Sequence, residues 1–254
     1  MTSDLNRSIY NKNYAPEQLE FRPRTAYDAR VLELRQRLLH QYCAGKDVLD
    51  LCCGSGTYSL ALTDRARSIV GLDFSRNLLA AALRRFQPGQ IGLVEGDACS
   101  LPFRDASFDT IFSFASLYYV ADVRSAIAET ARVLRPGGVA ILDLGNSRSL
   151  ATLTALVSHR MYGWAKLRPI PYGALRSTVG AAGLEVEQHH AFQILPLFGP
   201  RLVQAALPFS MSLFKYPLGL MVRGRMLDCI VSGAPLLRHF AFRHLFVLRK
   251  PGHE

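Results

Sequence analysis

Val48-Leu49-Asp50-Leu51-Cys52-Cys53-Gly54-Ser55-Gly56-Thr57 decides how this chain is read. Residues 48–51 form a short apolar run with one carboxylate, the pattern of a strand buried in a parallel sheet. Cys52 to Gly56 then break the run as a turn. Gly54 and Gly56 lack a Cβ, so the backbone there can approach a bound ligand closely. A helical stretch to about Ala66 is expected next. Strand, glycine turn and helix in that order open a dinucleotide-type βαβ unit. A lone glycine turn is a weak signal, so its weight depends on the flanks.

The flanks continue the alternation. Residues 68–72 read as a second strand that stops at Asp73, 75–86 as a helix and 91–94 as a third strand. Residues 108–112 give a fourth strand, 123–134 a helix, and 139–144 a fifth strand after Pro136-Gly137-Gly138. Upstream, Val31, Leu34, Leu38 and Leu39 recur at helical spacing within 26–42. Downstream, 147–182 read as helical or irregular, 184–192 as a late strand and 245–248 as a last one. Strands separated by helices define an α/β fold with a doubly wound, mostly parallel sheet. Right-handed crossovers then place the loops after the strands along one edge. Asp73 ends its strand about one βα unit after the glycine turn, and its carboxylate suits two ribose hydroxyls, since an ionised acid only accepts hydrogen bonds.

The segment 48–57 closely resembles the first motif of class I S-adenosylmethionine (SAM)-dependent methyltransferases. Glu95-Gly96-Asp97-Ala98, Leu101-Pro102-Phe103 and Ser107-Phe108-Asp109-Thr110-Ile111 resemble that family's middle motifs. Arg132-Val133-Leu134-Arg135-Pro136-Gly137-Gly138 is similar to its segment before the fifth strand. The likeness runs in order over roughly residues 46–146, and the ordered set is far more specific than any piece. Gly71-Leu72-Asp73-Phe74-Ser75 and the paired cysteines look like the ubiquinone/menaquinone-biosynthesis methyltransferase group, whose pattern has glycine where this chain has Cys52.

The resemblance implies a Rossmann-like seven-stranded sheet with a helical cap, and SAM as cofactor. It implies that Asp50 and the Gly54–Gly56 turn hold the methionine end and that Asp73 holds the ribose. Asp97 would meet the adenine amino group, Ala98 would offer a backbone N–H to the ring, and Phe74 would lie on the adenine face. Ser113 and Phe114 would border the methionyl group. A sulfonium, an ammonium, two hydroxyls and a purine call for carboxylates and carbonyls. No Walker lysine follows the glycines, which argues against a nucleoside triphosphatase. Taken singly, Asp50 could instead cap the next helix and Asp73 could be a turn residue, each the lesser of its two readings. Asp109 is better read as fixing the entry to the fourth strand.

Composition sets the outer limits. Of the 254 residues, 49% are hydrophobic and 20% charged, which suits a packed core and not a disordered chain. The formal charge of +10 favours anionic partners or a solvated basic surface. Five cysteines without a CxxC pair point to neither a metal site nor a disulfide framework. The opening residues 1–14 are polar, without an apolar signal-peptide core, so a cytoplasmic setting is the expectation.

Three segments are expected: an N-terminal cover at 1–45, the SAM-binding core at 46–146, and a cap completing the sheet at 147–254. Methyl transfer from a sulfonium needs alignment and exclusion of water, and a general base only if the acceptor must lose a proton. Tyr10 and Tyr14 in the cover, Tyr118 and Tyr119 after the fourth strand, and His189-His190 near the late strand are weak candidates for that role. Packing with hydroxyls at the surface is the commoner state of such tyrosines, and a structural histidine the commoner state of the pair. No converging metal-ligand set is visible.

Residues 192–248 are apolar but punctuated by Pro196, Pro200, Pro208, Pro217 and Pro235, with arginines interspersed. The longest uncharged stretch, 202–214, has 13 residues, short of the roughly 20 that a membrane span needs. A cap over an apolar acceptor pocket is the favoured reading, with peripheral contact to anionic headgroups as an addition. A small or lipid-like acceptor is expected, such as a quinone, a polyketide or a polyprenyl-linked glycan. Three rivals stand beside it: an RNA methyltransferase, although no RNA-binding module or basic–aromatic repeat is seen; a SAM-binding protein without turnover; and a NAD-dependent oxidoreductase.

Overall fold

In the computed structural model of the chain, residues 8, 25–162, 165–195 and 218–252 are described. Asp47–Leu51 (β1) is central, pairing in parallel with Ser68–Asp73 (β2) on one side and Phe108–Ser113 (β4) on the other. Gly92–Glu95 (β3) extends the sheet beyond β2, and Leu134–Gly145 (β5) extends it beyond β4. Arg243–Arg249 (β9) runs antiparallel between β5 and Glu185–Phe192 (β6). The seven strands lie in the order β3-β2-β1-β4-β5-β9-β6, while Met221–Val222 (β7) and Arg225–Met226 (β8) form a separate hairpin. Strand order reverses between β1 and β4, the place where such sheets open a crevice at their carboxyl ends.

Both sheet faces are covered, as the apolar β1 run requires. Val48 joins a core with Val31, Leu38 and Leu39 of the helix Ala26–Cys43 (α1) and with Leu245 and Val247 of β9. Leu49 and Leu51 face the other way, into a core with Ile127 of Val123–Val133 (α3), Leu175 of Tyr172–Ala181 (α5), and Phe246 and Leu248 of β9. This alternation is the period-two signature of a strand between two helical layers. Thr25 caps α1 by accepting from Asp28 N, and Ser75 caps Arg76–Leu83 (α2) by accepting from Leu78 N.

Two expectations need correction. The stretch to Ala66 is a short 3₁₀ turn, Ser59–Leu62, and not an α-helix. There Ser59 gives its hydroxyl to Asp50, and Thr63 gives its own to the Leu60 carbonyl, the local bonding that competes with a helix. β5 also begins earlier than read, at Leu134: the register jumps between Phe108 and Thr110, so Pro136-Gly137-Gly138 sits in an irregularity of the strand. After β5 come Leu150–Tyr162 (α4), α5 and Leu227–Gly233 (α6). The helical cap can be followed only in part, because residues 196–217 lie outside the described residues. No helix among the described residues is long and apolar enough to cross a membrane.

Candidate active site

A cavity of about 460 Å³ opens at the carboxyl ends of β1, β2 and β4. Its floor is the turn that follows β1. Cys52, Gly54 and Gly56 all have positive φ, at 61°, 54° and 72°. Two are glycines, as the left-handed region favours, while Cys52 occupies it at a cost. Gly56 does not line the cavity; a Cβ there would come within 2.6 Å of the Phe86 ring, so its role is to let α2's end pack under the turn. Arg85 braces the turn from below, donating to the Ser55 carbonyl and the Thr57 hydroxyl, each at 3.0 Å.

Asp50 and Asp73 are both almost wholly buried and both line the cavity. Ser59 donates its hydroxyl to Asp50 at 2.6 Å. Asp73 accepts from Gly54 N and Ser75 N, each at 2.9 Å, so β2's end is tied to the turn after β1. Neither acid has a cationic partner among the described residues. Burial therefore pushes the Asp50 carboxyl up to about 7, opposed by the Ser59 hydroxyl and aided by the Asp73 charge. Burial likewise lifts Asp73 to about 6 against the three backbone N–H groups that hold it. Asp97, two residues past β3, accepts from Cys99 N at 2.9 Å and joins the lining beside Ala98 and Phe74.

Phe114 completes this side, edge-to-face with Tyr58 at 4.8 Å between ring centres. Its neighbour Ser113 is fully buried in β4, does not line the cavity, and has an unpartnered hydroxyl among the described residues. Tyr118 and Tyr119 line the rim. Burial raises the Tyr118 phenol above its ordinary range, against the pull of Arg243, so it carries its proton at neutral pH. His189 is elsewhere: its Nε2 meets His244 Nδ1 at 2.9 Å, in a stack with Tyr172 and Phe246 away from the cavity. Burial lowers His189 to about 4 and His244 to about 3, so both are neutral packing groups at ordinary pH. His190 does not line the cavity either. Tyr10 and Tyr14 lie outside the described residues. Asp109 sits at the start of β4, accepting from Asp47 N at 2.9 Å and pairing with Arg135 and Arg67.

Reading the sequence missed the wall facing this turn. Tyr27, Arg35, Phe192, Gln193 and Arg243 line the cavity from α1, β6 and β9. Arg35 and Arg243 meet on Asp143 across 108 and 100 residues of chain, a distance that no local pattern encodes.

Residues 49–142 match the family described as a methyltransferase domain. The demethylmenaquinone methyltransferase of Bacillus licheniformis is 42% identical over 98 residues, covering 37% of this chain and 42% of the relative. The chloroplastic 2-phytyl-1,4-beta-naphthoquinone methyltransferase of Arabidopsis thaliana is 40% identical over 130 residues, 47% of this chain and 48% of that one. The chain thus spans less than half the length of these curated relatives. Among solved structures, an S-adenosylmethionine dependent methyltransferase from Mesorhizobium loti superposes with a TM-score of 0.61 at 19% identity, covering 88% of this chain and 99% of that one. The [4+2]-cyclase SpnF reaches the same TM-score at 21% identity, covering 99% and 93%, so the fold alone does not determine the reaction. The family match and the relatives indicate S-adenosylmethionine as the cofactor of the matched segment. Over residues 49–142 this chain is thus similar to methyltransferase domains, those of the menaquinone-type enzymes among them.

Proposed function

We propose that the protein transfers a methyl group from SAM to carbon, oxygen or nitrogen of a small or lipid-like acceptor. The observation that carries the reading is a pair of buried carboxylates, Asp50 and Asp73, with no cation beside them among the described residues. A ligand with an ammonium and a sulfonium supplies the missing positive charge. Bound SAM would contribute the activated methyl group itself.

The chain's own residues would bind and aim. Asp50 and the N–H groups around Gly54 hold the methionine end, Asp73 accepts from the ribose hydroxyls, and Asp97 and Ala98 read the adenine edge with Phe74 on its face. Asp73 is held by the Gly54, Ser75 and Phe74 N–H groups, which leaves accepting capacity for a ribose hydroxyl. Phe114 borders the methionyl group, whereas buried Ser113 would act through β4 packing. Tyr118, protonated at the rim, serves as a hydrogen-bond donor that orients the acceptor and not as a base. Residues 1–45 and 147–254 would close the site on either side of the core at 46–146.

Quinone acceptors are supported by the relatives' own substrates. A contact with anionic lipid is the second reading. On α4 the exposed Leu150, Leu153, Leu156, Val157 and Met161 carry it, with Arg148 and Arg160 close by in sequence. Flotation with anionic liposomes tests the lipid contact, and no co-migration at low salt would discard it. The transfer itself is tested by incubating cell extract with the enzyme and isotopically labelled SAM. A labelled product seen by mass spectrometry supports methyl transfer; SAM binding without any product would make the protein a binder only.

A further inference from the structure

Behind the wall opposite the acids, two arginines share one carboxylate. Asp143 on β5 is wholly buried. Arg35 Nη2 donates to its Oδ2 at 2.7 Å, Arg243 Nε donates to its Oδ1 at 3.1 Å, and Arg243 Nη2 also donates to Oδ2. Arg35 gives its remaining Nη1 to the Tyr58 hydroxyl, and its buried Nε has no partner among the described residues. Both arginines line the cavity, and Arg35 is only 2% exposed.

Among the described residues the charges in contact sum to one excess positive, two guanidiniums against one carboxylate. Asp228 does not cancel it. That carboxylate is held by the Tyr27 hydroxyl, the Gln193 and Ile194 N–H groups and the Ser232 hydroxyl, and it pairs with neither arginine among the described residues. An uncompensated cation kept out of water is expensive, and a guanidinium presents a planar fork that matches a carboxylate. Its surroundings are aromatic: Arg35 lies 5.2 Å from the Phe114 ring centre, and Arg243 lies 5.3 Å from Phe192 and 5.7 Å from Tyr118. The cavity lining therefore holds both the acids of the β1 and β2 ends and two arginines set among ring faces.

We infer that Arg35 and Arg243, tied through Asp143, form an oxyanion seat that selects acceptors carrying a single carboxylate on an aromatic or apolar body. A group of one negative charge neutralises the excess, whereas a neutral quinone leaves it standing. This rests on the methyltransferase reading and narrows its substrate class.

The test is calorimetric, on the full chain first titrated with S-adenosylhomocysteine. No binding of that ligand defeats the methyltransferase reading itself, separately from the seat. The loaded protein is then titrated with benzoate, 2-naphthoate and dodecanoate, each against its neutral amide. At least one acid is expected to bind about tenfold or more tighter than its amide. Arg243→Gln abolishes that preference, while Asp143→Asn, which deletes the competing carboxylate and leaves both cations, keeps or strengthens it. A cluster that only braces the fold gives the reverse for Asp143→Asn, acid and amide weakening together. Equal affinity for acid and amide across the wild-type panel overturns the inference and needs no variant to fold. It is also overturned if Arg243→Gln weakens SAM about tenfold but leaves 5′-methylthioadenosine unchanged, because the cofactor's own carboxylate then fills the seat.

Discussion

The carboxylate of Asp73 accepts the N–H of Gly54 at 2.9 Å, so the end of β2 and the turn after β1 are one hydrogen-bonded unit. A second N–H, from Ser75, fixes the other oxygen at the same distance. The acid is thus aimed before any ligand arrives, and the two halves of a cofactor that spans both strands meet a preset geometry.

Replacing Asp73 with Ala removes that unit and its charge-assisted bonds to the ribose. Affinity for SAM should fall by about 2 kcal/mol, a loss of roughly thirtyfold. Calorimetry measures it directly. Unchanged affinity would count heavily against the ribose contact.

Proton release should accompany cofactor binding. Asp50 at about 7 and Asp73 at about 6 are partly protonated near pH 6.5 in the empty site. An ammonium beside Asp50 and hydroxyls donating to Asp73 both favour the ionised forms, so binding expels protons there and affinity declines as pH falls from about 7 to 6. Titration at pH 6.5 in two buffers of different ionisation enthalpy reads the number released; none would exclude a cation beside these acids. The same raised values fix the sign for stability. These two acids contribute stability that is complete below their ordinary 3.8 and is lost as pH rises through 6 to 7.

Cys52 holds φ 61° in a region costly for any residue with a Cβ. Cys52→Gly should stabilise the protein by about 1 kcal/mol, the relieved strain exceeding glycine's added unfolded-state entropy. Urea denaturation measures it. A loss of stability would mean that the packing of the cysteine side chain outweighs the backbone.

Gly56→Ala should act the other way. Its φ of 72° and the Phe86 ring 2.6 Å from the new Cβ both oppose it, and about 2 kcal/mol should be lost. A melting temperature equal to wild type would show that α2 yields freely beneath the turn.

The His189–His244 pair gives an acid limb. Their values, lowered to about 4 and about 3 by burial, mean that they support the fold fully above the ordinary 6.5, with loss as pH falls through 4 and 3. The variant His189→Phe/His244→Phe should lose less stability than wild type between pH 6.5 and 4. Equal losses would place the acid sensitivity in other groups.

Much of this was legible locally. The run 48–51 and its alternating neighbours disclosed β1 to β5, because buried parallel strands are apolar throughout. Asp50, Gly54, Asp73, Phe74, Asp97, Ala98 and Phe114 all come to one cavity, since each lies at or shortly past the carboxyl end of a strand. Gly56 and Ser113 are adjacent in sequence to that lining yet face packing, a difference of side-chain direction that motif spacing does not carry. The Arg35–Asp143–Arg243 cluster was hidden for a different reason. Its members sit on α1, β5 and β9, and only the insertion of β9 beside β5 brings them together. His189 looked available as a base because its partner, His244, lies 55 residues on.

A crystal structure of the protein with S-adenosylhomocysteine tests the central claim most directly. The ribose hydroxyls are expected within hydrogen-bond reach of Asp73, the adenine beside Asp97 and Ala98, and the amino group toward Asp50. The ligand bound elsewhere, or the Asp50–Asp73 crevice left empty at saturating concentration, would contradict it.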